Sequence, residues 1–575
     1  MRSKNDASEL RIWPGAVIVL LQWVTVFGVG RIAPGTPLQF FSMMGGPLGG
    51  ALLLFLWWLF GSRARWLDRL GGVAAIVIGF FAVIALAHPS MQMTVFVYGI
   101  PLVCLTFVVG AYATRNWADG RRRSSMIAIV VGSFGLFALL RSDGVRGDLG
   151  VELALRWSAT AEDRLLATEP LFGKSLPTVG ADDEEQARSE TEWPGFRGGS
   201  RDSIVSGVRI PTDWNSSPPG EIWRRPVGPG WSSFAVVGGR LYTQEQRGEE
   251  EIVACYAAAT GEPVWIHRET TRFWEPMAGA GPRATPTVHD GKVYALGATG
   301  ILNALDAADA SPVWRRDAAA DTGAKTPEWG FASSPLIVDN LAIVHTGGEG
   351  GKAVVAYDLE TGEPRWFAPA GMTSYSSAHL TTIDGVRQVL MLTGDGATSL
   401  APEDGTVLWE HAWPMEGGAR IVQPAITDDG DVLIGTGFGM GLRRIALTGG
   451  AERWTVEERW TSTGLKPYFN DLVVHRGHAY GFDGRILSCV ELATGERKWK
   501  GGRYGHGQMM LLADQDLLIV LSEQGELALV SADPEGYSEL ARMPAIEGKT
   551  WNHPVLAGGV LYVRNGEEMA AFRLL

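Results

Sequence analysis

Eight short segments in the second half of the sequence combine basic, amide and aromatic residues, the types that bind small anions. They read GWSSF (230–234), GPRATP (281–286), EWGFASSP (328–335), TSYSSAH (373–379), ARIVQP (419–424), LKPYFND (465–471), RYGHGQ (503–508) and KTWNHP (549–554). Their basic residues are Arg283, Arg420, Lys466 and Arg503, and their candidate stacking residues are Trp329, Tyr375 and Trp551. Because guanidinium and ammonium groups bind anions, the first hypothesis is a site for an anionic ligand.

Amide, carboxylate and imidazole groups in the same segments extend the candidate set, namely Gln423, Asn470, Asp471, His506, Asn552 and His553. Oxygen atoms of Asn470, Asp471 and Asn552 suit a hard cation such as calcium, so these three are the candidate metal ligands. Asp471 is also the acid that we nominate as a general base. Each residue has a structural alternative, because Arg, His and Asn at loop ends often satisfy buried backbone groups and aromatic residues there often pack.

Charge and motifs argue against several other classes of protein. Residues 1–141 carry a net charge of +8 and the remaining residues −21, and an acidic second half disfavours nucleic acid as a partner. The segment GGEGGKA (347–353) departs from a phosphate-binding loop, because Thr346 stands in place of its first glycine and Ala353 follows the lysine. The sequence has no GxSxG elbow, no HExxH helix and no CxxC pair.

Residues 1–141 predict a membrane domain of about five transmembrane helices. Apolar stretches cover residues 13–30, 38–60, 70–88, 93–113 and 125–140, each near the length that crosses a bilayer. Lys and Arg number three before the first stretch and then one, three, none and four in the successive loops. Because cytoplasmic loops are the basic ones, the N-terminus is predicted to be cytoplasmic, and five crossings place the residues after Arg141 outside.

Residues 142–192 are predicted to connect the membrane domain to the second half of the chain. Residues 147–167 have the composition of a short amphipathic helix. The stretch that follows is polar and acidic and ends in GADDEEQARSETE, so it is expected to be a flexible tether.

A repeat runs from Trp193 to the last residues. Each unit has an apolar strand, a turn that ends in glycine, and a short strand that closes on tryptophan, as in VAYDLETGEPRW. The closing residues are Trp223, Trp265, Trp314, Trp366, Trp409, Trp454, Trp499 and, in a degenerate unit, Tyr537. Their spacings of 42, 49, 52, 43, 45, 45 and 38 residues suit a four-stranded propeller blade, whereas a β-sandwich or a solenoid would not explain this period.

Two further strands joined by a glycine turn lie between successive closing residues, as in PTVHDGKVYAL (286–296), so each blade has four strands. The strand at Trp223 has no blade before it, and three strands follow Tyr537. These four are predicted to form one composite blade, which closes an eight-bladed all-β propeller over residues 193–575. In this register Cys255 and Cys489 lie three blades apart and are predicted to be free thiols.

The repeat resembles the ALDxxTGxxxW pattern of the PQQ-like eight-bladed β-propeller family, with the best matches at Asp306–Trp314 and Asp358–Trp366. Residues 193–202 (WPGFRGGSRD) resemble the opening segment of bacterial relatives within that family. The family includes quinoprotein dehydrogenases, which carry pyrroloquinoline quinone and calcium. It also includes BamB-like scaffolds, which carry neither and bind other proteins, so the resemblance implies the fold and leaves the function open.

Two functions follow from the resemblance. A BamB-like scaffold in a bacterial inner membrane would present its propeller in the periplasm to a protein or a small anionic ligand. A quinoprotein dehydrogenase would instead deliver electrons to membrane quinone, and membrane-bound quinoprotein glucose dehydrogenases also place five transmembrane helices before an external propeller. Their propellers carry large insertions that build the active site, whereas the blades here are minimal. The binding module is therefore the expected function and the dehydrogenase the alternative.

Overall fold

The computed structural model describes residues 10–33, 37–147, 149–168, 192–214, 216–371, 374–415, 420–450 and 453–575. The chain forms two compact units, a helical unit within Met1–Ser158 and a β unit over Ala159–Glu275 and Gly279–Leu575. Within the predicted connecting segment 142–192, residues 169–191, which make up most of the predicted flexible tether, lie outside the described residues.

Among the described residues, four helices are long and apolar enough to cross a membrane: α1 (Trp13–Ile32), α2 (Leu38–Gly61), α3 (Trp66–Leu86) and α4 (Pro89–Ala113). Large apolar side chains such as Leu67, Ile78 and Phe81 are more than half exposed on α3. An apolar surface of this extent suits lipid rather than water. The fifth predicted crossing, residues 125–140, begins inside α5 (Asp119–Ala138), whose first turn is charged, and this crossing stays a prediction.

The predicted amphipathic helix is shorter than expected. A hairpin of β1 (Leu140–Val145) and β2 (Val151–Leu155) occupies the first part of residues 147–167, and the helix is confined to α6 (Ala161–Thr168). Thr160 caps α6, because its Oγ1 accepts from the backbone N–H of Asp163 (2.9 Å) and the Asp163 carboxylate accepts from the Thr160 N–H (2.8 Å). This capping pair fixes the start of the helix beyond the hairpin.

The β unit contains eight four-stranded sheets, one of which has a short additional strand. Before the first complete blade come β3 (Ile204–Val205) and β4 (Gly220–Pro226). Blade 1 is β5 (Ala235–Val237), β6 (Arg240–Arg247), β7 (Glu250–Ala257) and β8 (Pro263–Glu269), and the hairpin β9 (Trp274–Glu275) and β10 (Gly279–Ala280) follows. Blade 2 is β11 (Thr287–His289), β12 (Lys292–Leu296), β13 (Ile301–Asp306) and β14 (Pro312–Asp317), and α7 (Ala318–Thr322) follows. Blade 3 is β15 (Leu336–Val338), β16 (Leu341–His345), β17 (Val354–Asp358) and β18 (Pro364–Ala368).

The remaining blades repeat this order. Blade 4 is β19 (His379–Ile383), β20 (Val386–Thr393), β21 (Gly396–Leu400) and β22 (Val407–Ala412). Blade 5 is β23 (Ala425–Ile426), β24 (Val432–Thr436), β25 (Gly441–Gly450) and β26 (Arg453–Ser462). Blade 6 is β27 (Val473–His475), β28 (His478–Asp483), β29 (Ile486–Glu491) and β30 (Arg497–Arg503). Blade 7 is β31 (Gln508–Leu512), β32 (Leu517–Leu521), β33 (Glu526–Ser531) and β34 (Glu539–Pro544), and β3 pairs with β31.

Blade 8 is the predicted composite blade. It joins β35 (Val555–Ala557), β36 (Val560–Arg564) and β37 (Glu568–Arg573) to β4, and Ala571 of β37 lies opposite Trp223 of β4. The last strands of the chain thus pair with a strand from before blade 1. The eight-bladed fold is confirmed, and this pairing closes its ring.

The recurring tryptophan and glycine of the repeat meet across the boundary between neighbouring blades. Trp314 donates from its indole N–H to the Leu359 carbonyl of the next blade (2.9 Å), and Trp366 donates to the Pro402 carbonyl (3.0 Å). Gly362 has φ of +71°, and a Cβ there would lie 2.7 Å from the Trp314 ring. Only glycine allows both this backbone conformation and the close approach. The TG…W signature therefore encodes inter-blade packing.

Blade 5 departs from the predicted register. The repeat assigns Trp454 as its closing tryptophan, but Trp460 donates to the Leu492 carbonyl of blade 6 (2.8 Å) and packs on Gly495. Trp454 lies at the tip of a hairpin that is several residues longer than in the other blades. The long hairpin packs against blade 4. In blade 4, the closing Trp409 donates from its indole N–H to the side-chain oxygen of Gln388 in the same blade (2.6 Å).

The cysteines behave as predicted. Cys255 and Cys489 lie in the third strands of blades 1 and 6, and both are free and buried, as is Cys104 in the helical unit. Burial raises the pKa of the Cys255 and Cys489 thiols to about 12. They are therefore protonated and inert at neutral pH.

Candidate functional site

A ring of hydrogen bonds surrounds the axis of the propeller, and we call it the axial ring. Its members occupy one position in the blades, two residues before the first strand of the blade in every case but blade 7, where Gln508 begins the strand: Ser233, Thr285, Ser334, Ser377, Gln423, Asp471, Gln508 and His553. Backbone N–H groups donate to side-chain oxygens of the next blade in the pairs Ser233–Thr285 (2.9 Å), Thr285–Ser334 (3.0 Å), Ser334–Ser377 (2.9 Å), Ser377–Gln423 (3.1 Å) and Gln423–Asp471 (2.6 Å). Each bond contributes on the order of 1 kcal/mol, and together they tie six blades in sequence.

The ring closes through the last two blades. Gln508 donates from Nε2 to the carbonyls of Phe469 and Trp551 (both 3.1 Å), which bridges blades 6 and 8. His553 lies 3.2 Å from Asp471 through its Nε2, and its carbonyl accepts from the Ser233 hydroxyl (2.6 Å). Asp471 therefore occupies a position that serine, threonine, glutamine or histidine fills in the other blades.

A segment that we call the plug, Trp193–Val205, crosses the axis beside this ring. Trp193 pairs with Val236 of blade 1, and the Pro194 carbonyl accepts from Val288 of blade 2 (2.8 Å). Ile204 pairs with Leu511 of blade 7, and Arg201 donates to the carbonyls of blade 3 at Ser334 and Pro335 (2.9 and 3.0 Å). The segment WPGFRGGSRD is thus a structural element that fills the centre of the propeller.

Asp471 forms a buried ion pair with the plug. The Arg197 Nε lies 3.5 Å from the Asp471 carboxylate, and the side chains are 2% and 7% exposed. Burial by itself raises the pKa of Asp471, but Arg197, His553 and the Gln423 N–H together outweigh it and hold the pKa below its usual value. Burial also lowers the pKa of His553, so this imidazole is neutral at neutral pH. The carboxylate is an ionised structural anchor rather than a free base.

Beyond the axial ring, half-buried aromatic residues line the mouth of the channel, and we call them the collar: Trp231, Trp329, Tyr375, Phe438, Tyr468, Phe469 and Trp551. Trp551 packs on Trp231 (ring centroids 4.7 Å apart) and on Phe469 (4.8 Å), and Lys549 lies over the Trp551 ring at 4.5 Å. His506 stacks on Phe469 (5.4 Å), and Trp329 packs on Tyr375 (5.0 Å). Of the collar residues, Phe438 is the most exposed, at 43%.

The four predicted basic residues do not converge on one site. Arg283 is buried, donates to the Trp329 carbonyl (3.1 Å) and pairs with Glu275 (3.0 Å). Arg420 is fully buried, donates to the Thr393 carbonyl (2.5 Å), and lies over the Trp413 ring. Burial lowers the pKa of both guanidiniums to about 10, so both remain charged. Lys466 pairs instead with Asp483 on blade 6, and Arg503 is exposed at the end of β30.

The predicted metal ligands do not form an oxygen-rich shell. Both oxygens of Asp471 already accept from donors or face cations, and the Asn470 Oδ1 accepts from the Tyr468 N–H (3.1 Å). The Asn552 amide donates to the Ser232 carbonyl (2.7 Å), and its Oδ1 is left without a donor among the described residues. Calcium takes six to eight oxygens, so this donor set does not fit a calcium ion.

Sequence reasoning missed the serine and threonine members of the axial ring and both plug arginines. A signal for the first group exists, because these residues recur two positions before each inner strand. Arg197 and Arg201 have φ of +62° and +57°, and no local pattern marks them as partners of blades 3 and 6.

The comparisons with known proteins agree with this fold. The sequence model of the family described as "Outer membrane protein assembly factor BamB" matches residues 218–324 and 249–501. Similar solved structures include BamB from Moraxella catarrhalis, at 14% identity over 62% of this chain and 97% of that chain, with a TM-score of 0.46. The quinohemoprotein alcohol dehydrogenase ADHIIG from Pseudomonas putida matches at 14% identity over 69% of this chain and 82% of that chain, with a TM-score of 0.50. The search of curated proteins gives no match.

The β unit is therefore an eight-bladed propeller, of which residues 218–501 match the BamB family model, and it follows a region in which four described helices are long and apolar enough to span a membrane. The matching family model is described as a BamB, whereas a structural neighbour with a TM-score of 0.50 is a quinohemoprotein alcohol dehydrogenase. The fold alone does not distinguish a binding scaffold from a dehydrogenase, so the choice between them depends on the residues of the candidate site.

Proposed function

We propose that this protein is a membrane-anchored binding module whose collar receives a protein partner, in the manner of a BamB-like scaffold. The observation that carries the proposal is that the plug and the axial ring fill the propeller centre, while aromatic residues line its mouth. Asp471, the one general base nominated from the sequence, is engaged by Arg197, His553 and the Gln423 N–H, so it is not free to accept a proton from a substrate.

The chemistry of the collar suits protein recognition. Tryptophan, tyrosine and phenylalanine are enriched at protein interfaces, because each buries a large apolar area with little loss of side-chain freedom. The rings already pack on one another at 4.7 to 5.4 Å, so the surface is pre-organised. A surface of this kind favours contact with a partner's side chains over enclosure of a cofactor.

The proposed location is the non-cytoplasmic side of a bacterial inner membrane. Arg122 and Arg123 at the start of α5 bind Asp68 at the start of α3 (2.5 and 2.9 Å). Further along the same helices, Phe134 packs on Phe80 at 6.4 Å. Because α5 runs beside α3 from its start to near its end, a membrane that α3 crosses is crossed by α5 as well, which supports five crossings.

Alkaline phosphatase fusions test this topology. We expect a fusion after Asn116 to be inactive and a fusion after Gly180 to be active, because an odd number of crossings separates the N-terminus from residue 180. Activity is measured in whole cells and normalised to the amount of fusion protein. With four crossings the fusion after Gly180 would be inactive, and the proposed location would be wrong.

A photo-crosslinking residue at the collar tests partner binding. A benzophenone amino acid replaces Phe438 in one variant and Tyr468 in another. We expect each variant to give one discrete adduct in cells, which is identified by mass spectrometry. The matched control is Asp339, in the β15–β16 hairpin at the opposite end of the blades, which should give none. Trp551→Ala should reduce the adduct formed from position 438 several-fold, because it removes the ring that supports Phe469.

The same purified protein tests the dehydrogenase alternative. Titration with pyrroloquinoline quinone and calcium is expected to show no saturable binding and no dye-linked oxidation of sugars or alcohols. Saturable binding together with oxidation that disappears in Asp471→Asn, with the fold intact, would replace the binding module by the enzyme.

A further inference from the structure

The outer strand of blade 6 carries an unusual concentration of positive charge. β30 reads RKWKGGR, with Arg497, Lys498, Lys500 and Arg503 and no acidic residue. The outer strands of the other blades either carry acidic residues or pair their arginines with acids nearby, as Arg315 of β14 pairs with Glu269 (3.0 Å). The four cations of β30, with no acidic residue among them, set this strand apart in a β unit that is acidic as a whole.

One carboxylate serves three cations at this strand. Asp483 pairs with Lys500 (2.6 Å) and Arg497 (2.7 Å), and Lys466 approaches the same group from the segment before β27. The Asp483 side chain is 5% exposed, whereas those of Lys466, Lys500 and Arg497 are 27%, 33% and 38% exposed. The cluster therefore has a net charge of +2, and its positive groups face solvent.

The number of hydrogen-bond donors exceeds the number of partners. An ammonium group has three donors and a guanidinium five. Lys466 uses one for Asp483 and one for the Thr463 carbonyl (2.9 Å), while Lys500 and Arg497 each use one for Asp483. Lys498 and Arg503 make no ion pair with any described residue. Most donors of the five cations thus have no partner among the described residues and are available to a ligand.

The arrangement of the cations indicates the shape of the ligand. Arg497 and Arg503 begin and end one strand, and at about 3.3 Å per residue this strand spans roughly 20 Å. Lys466 broadens the row on the blade 5 side. A single small anion would reach two or three of these groups, whereas an extended chain of carboxylates would reach all of them.

We propose that β30 and Lys466 form a docking surface for an acidic peptide segment of the partner protein. This inference rests on the proposed function, because it assigns a chemical character to the partner that the collar receives. Charge complementarity of this kind mainly raises the rate of association and selects among partners. It also gives a binding step that weakens as the salt concentration rises.

Fluorescence anisotropy with a labelled octaglutamate peptide and the full-length protein in nanodiscs of neutral lipid tests the proposal. We expect saturable binding at about 50 mM salt that weakens by about tenfold at about 300 mM. Lys498→Gln with Arg503→Gln should weaken binding at least about fivefold, and these residues have no ion pair to lose on substitution. A separate variant, Lys466→Gln with Lys500→Gln, should weaken octaglutamate binding more than the first variant does.

Two controls separate the docking surface from general charge effects. Arg315→Gln removes a paired arginine from the outer strand of blade 2 and should change the affinity less than about twofold. An uncharged octapeptide should not bind. An equal loss of affinity in the Arg315 variant, or no loss of affinity in either variant of the docking surface, would overturn the proposal. Phosphate that displaces octaglutamate more than chloride does at equal ionic strength would replace the docking surface by a small-anion site.

The collar variant distinguishes this inference from the proposed function. Trp551→Ala should leave octaglutamate binding unchanged, because the collar is not part of the basic strand. Octaglutamate binding that fails while collar crosslinks persist would reject the docking surface alone. Crosslinks that fail while octaglutamate binds would reject the collar as the partner site and leave the basic surface in place.

Discussion

Deletion of residues 569–575 is expected to abolish the cooperative unfolding of the propeller. The deletion removes almost all of β37, which lies between β36 and β4 in the composite blade. Met569, Phe572 and Leu574 are buried, and loss of their burial costs roughly 4.5–9 kcal/mol at about 1.5–3 kcal/mol for each side chain. This is comparable to the whole stability of an ordinary domain.

The deletion also separates the two ends of the ring. Without β37, the strand that carries Trp223 has no neighbour, and both it and β36 present unpaired edges. Thermal unfolding followed by circular dichroism should become broad or be replaced by aggregation. Removal of Leu575 alone is the matched control, because this residue is 59% exposed and lies beyond the strand. A seven-residue truncation that melts like the full chain would show that the composite blade does not close the ring.

Arg197→Ala is expected to destabilise the propeller by about 3–5 kcal/mol, because it leaves the buried carboxylate of Asp471 without its cation. The substitution also removes hydrogen bonds from Arg197 to the Asp202 and Leu472 carbonyls (both 2.9 Å). Chemical denaturation gives the change in the free energy of unfolding. Adding Asp471→Asn should restore part of the loss, since the double variant no longer buries an unpaired charge.

The pH dependence of stability provides a second measurement of the same contact. The folded pKa of Asp471 is below its unfolded value of about 3.9, so its contribution is present above that pH and is lost as the pH falls toward the folded pKa. In Asp471→Asn this acid-dependent loss should become smaller. His553 and His379 act in a higher range, because burial lowers their pKa values, that of His379 to about 3, and stability falls as the pH drops below about 6.5.

Arg387→Ala is the control for the plug variant. Arg387 pairs with Asp339 at 3.1 Å, but the side chains are 44% and 58% exposed, so its loss should cost less than about 1 kcal/mol. Equal destabilisation by both substitutions would contradict a special role for the plug. A stable Asp471→Asn variant that loses an oxidation activity would assign the carboxylate to catalysis instead.

A variant that combines Arg420→Ala with Lys466→Ala would not separate ligand capture from stability in this structure. Arg420 is fully buried and donates to backbone carbonyls, so its truncation would destabilise blade 4 rather than alter a surface. Lys466 belongs to the basic surface of blade 6. The two residues therefore report on different properties of the propeller.

The number of blades, their strand order and the composite closure are predicted correctly from local sequence patterns. Alternating apolar residues and glycine turns specify each strand locally, and the number of recurring closing residues gives the number of blades. The prediction from this repeat was wrong in blade 5, where Trp454 fits the spacing but Trp460 makes the inter-blade contact. A hairpin can lengthen by an even number of residues without disturbing alternation, so the local pattern does not reveal which tryptophan reaches the neighbouring blade.

The roles of the polar residues at the mouth depend on contacts that exist only in the folded chain. Asp471 has the sequence context of a candidate base, yet its cation comes from the plug, hundreds of residues earlier, and its ring neighbours come from blades 5 and 8. Arg283 and Arg420 look like ligand-binding groups in sequence but donate to carbonyls inside the fold. The burial of these side chains and their hydrogen-bond partners depend on which segments meet at the axis when the ring closes. Because these segments are far apart in the chain, their meeting leaves no periodic signal in the sequence.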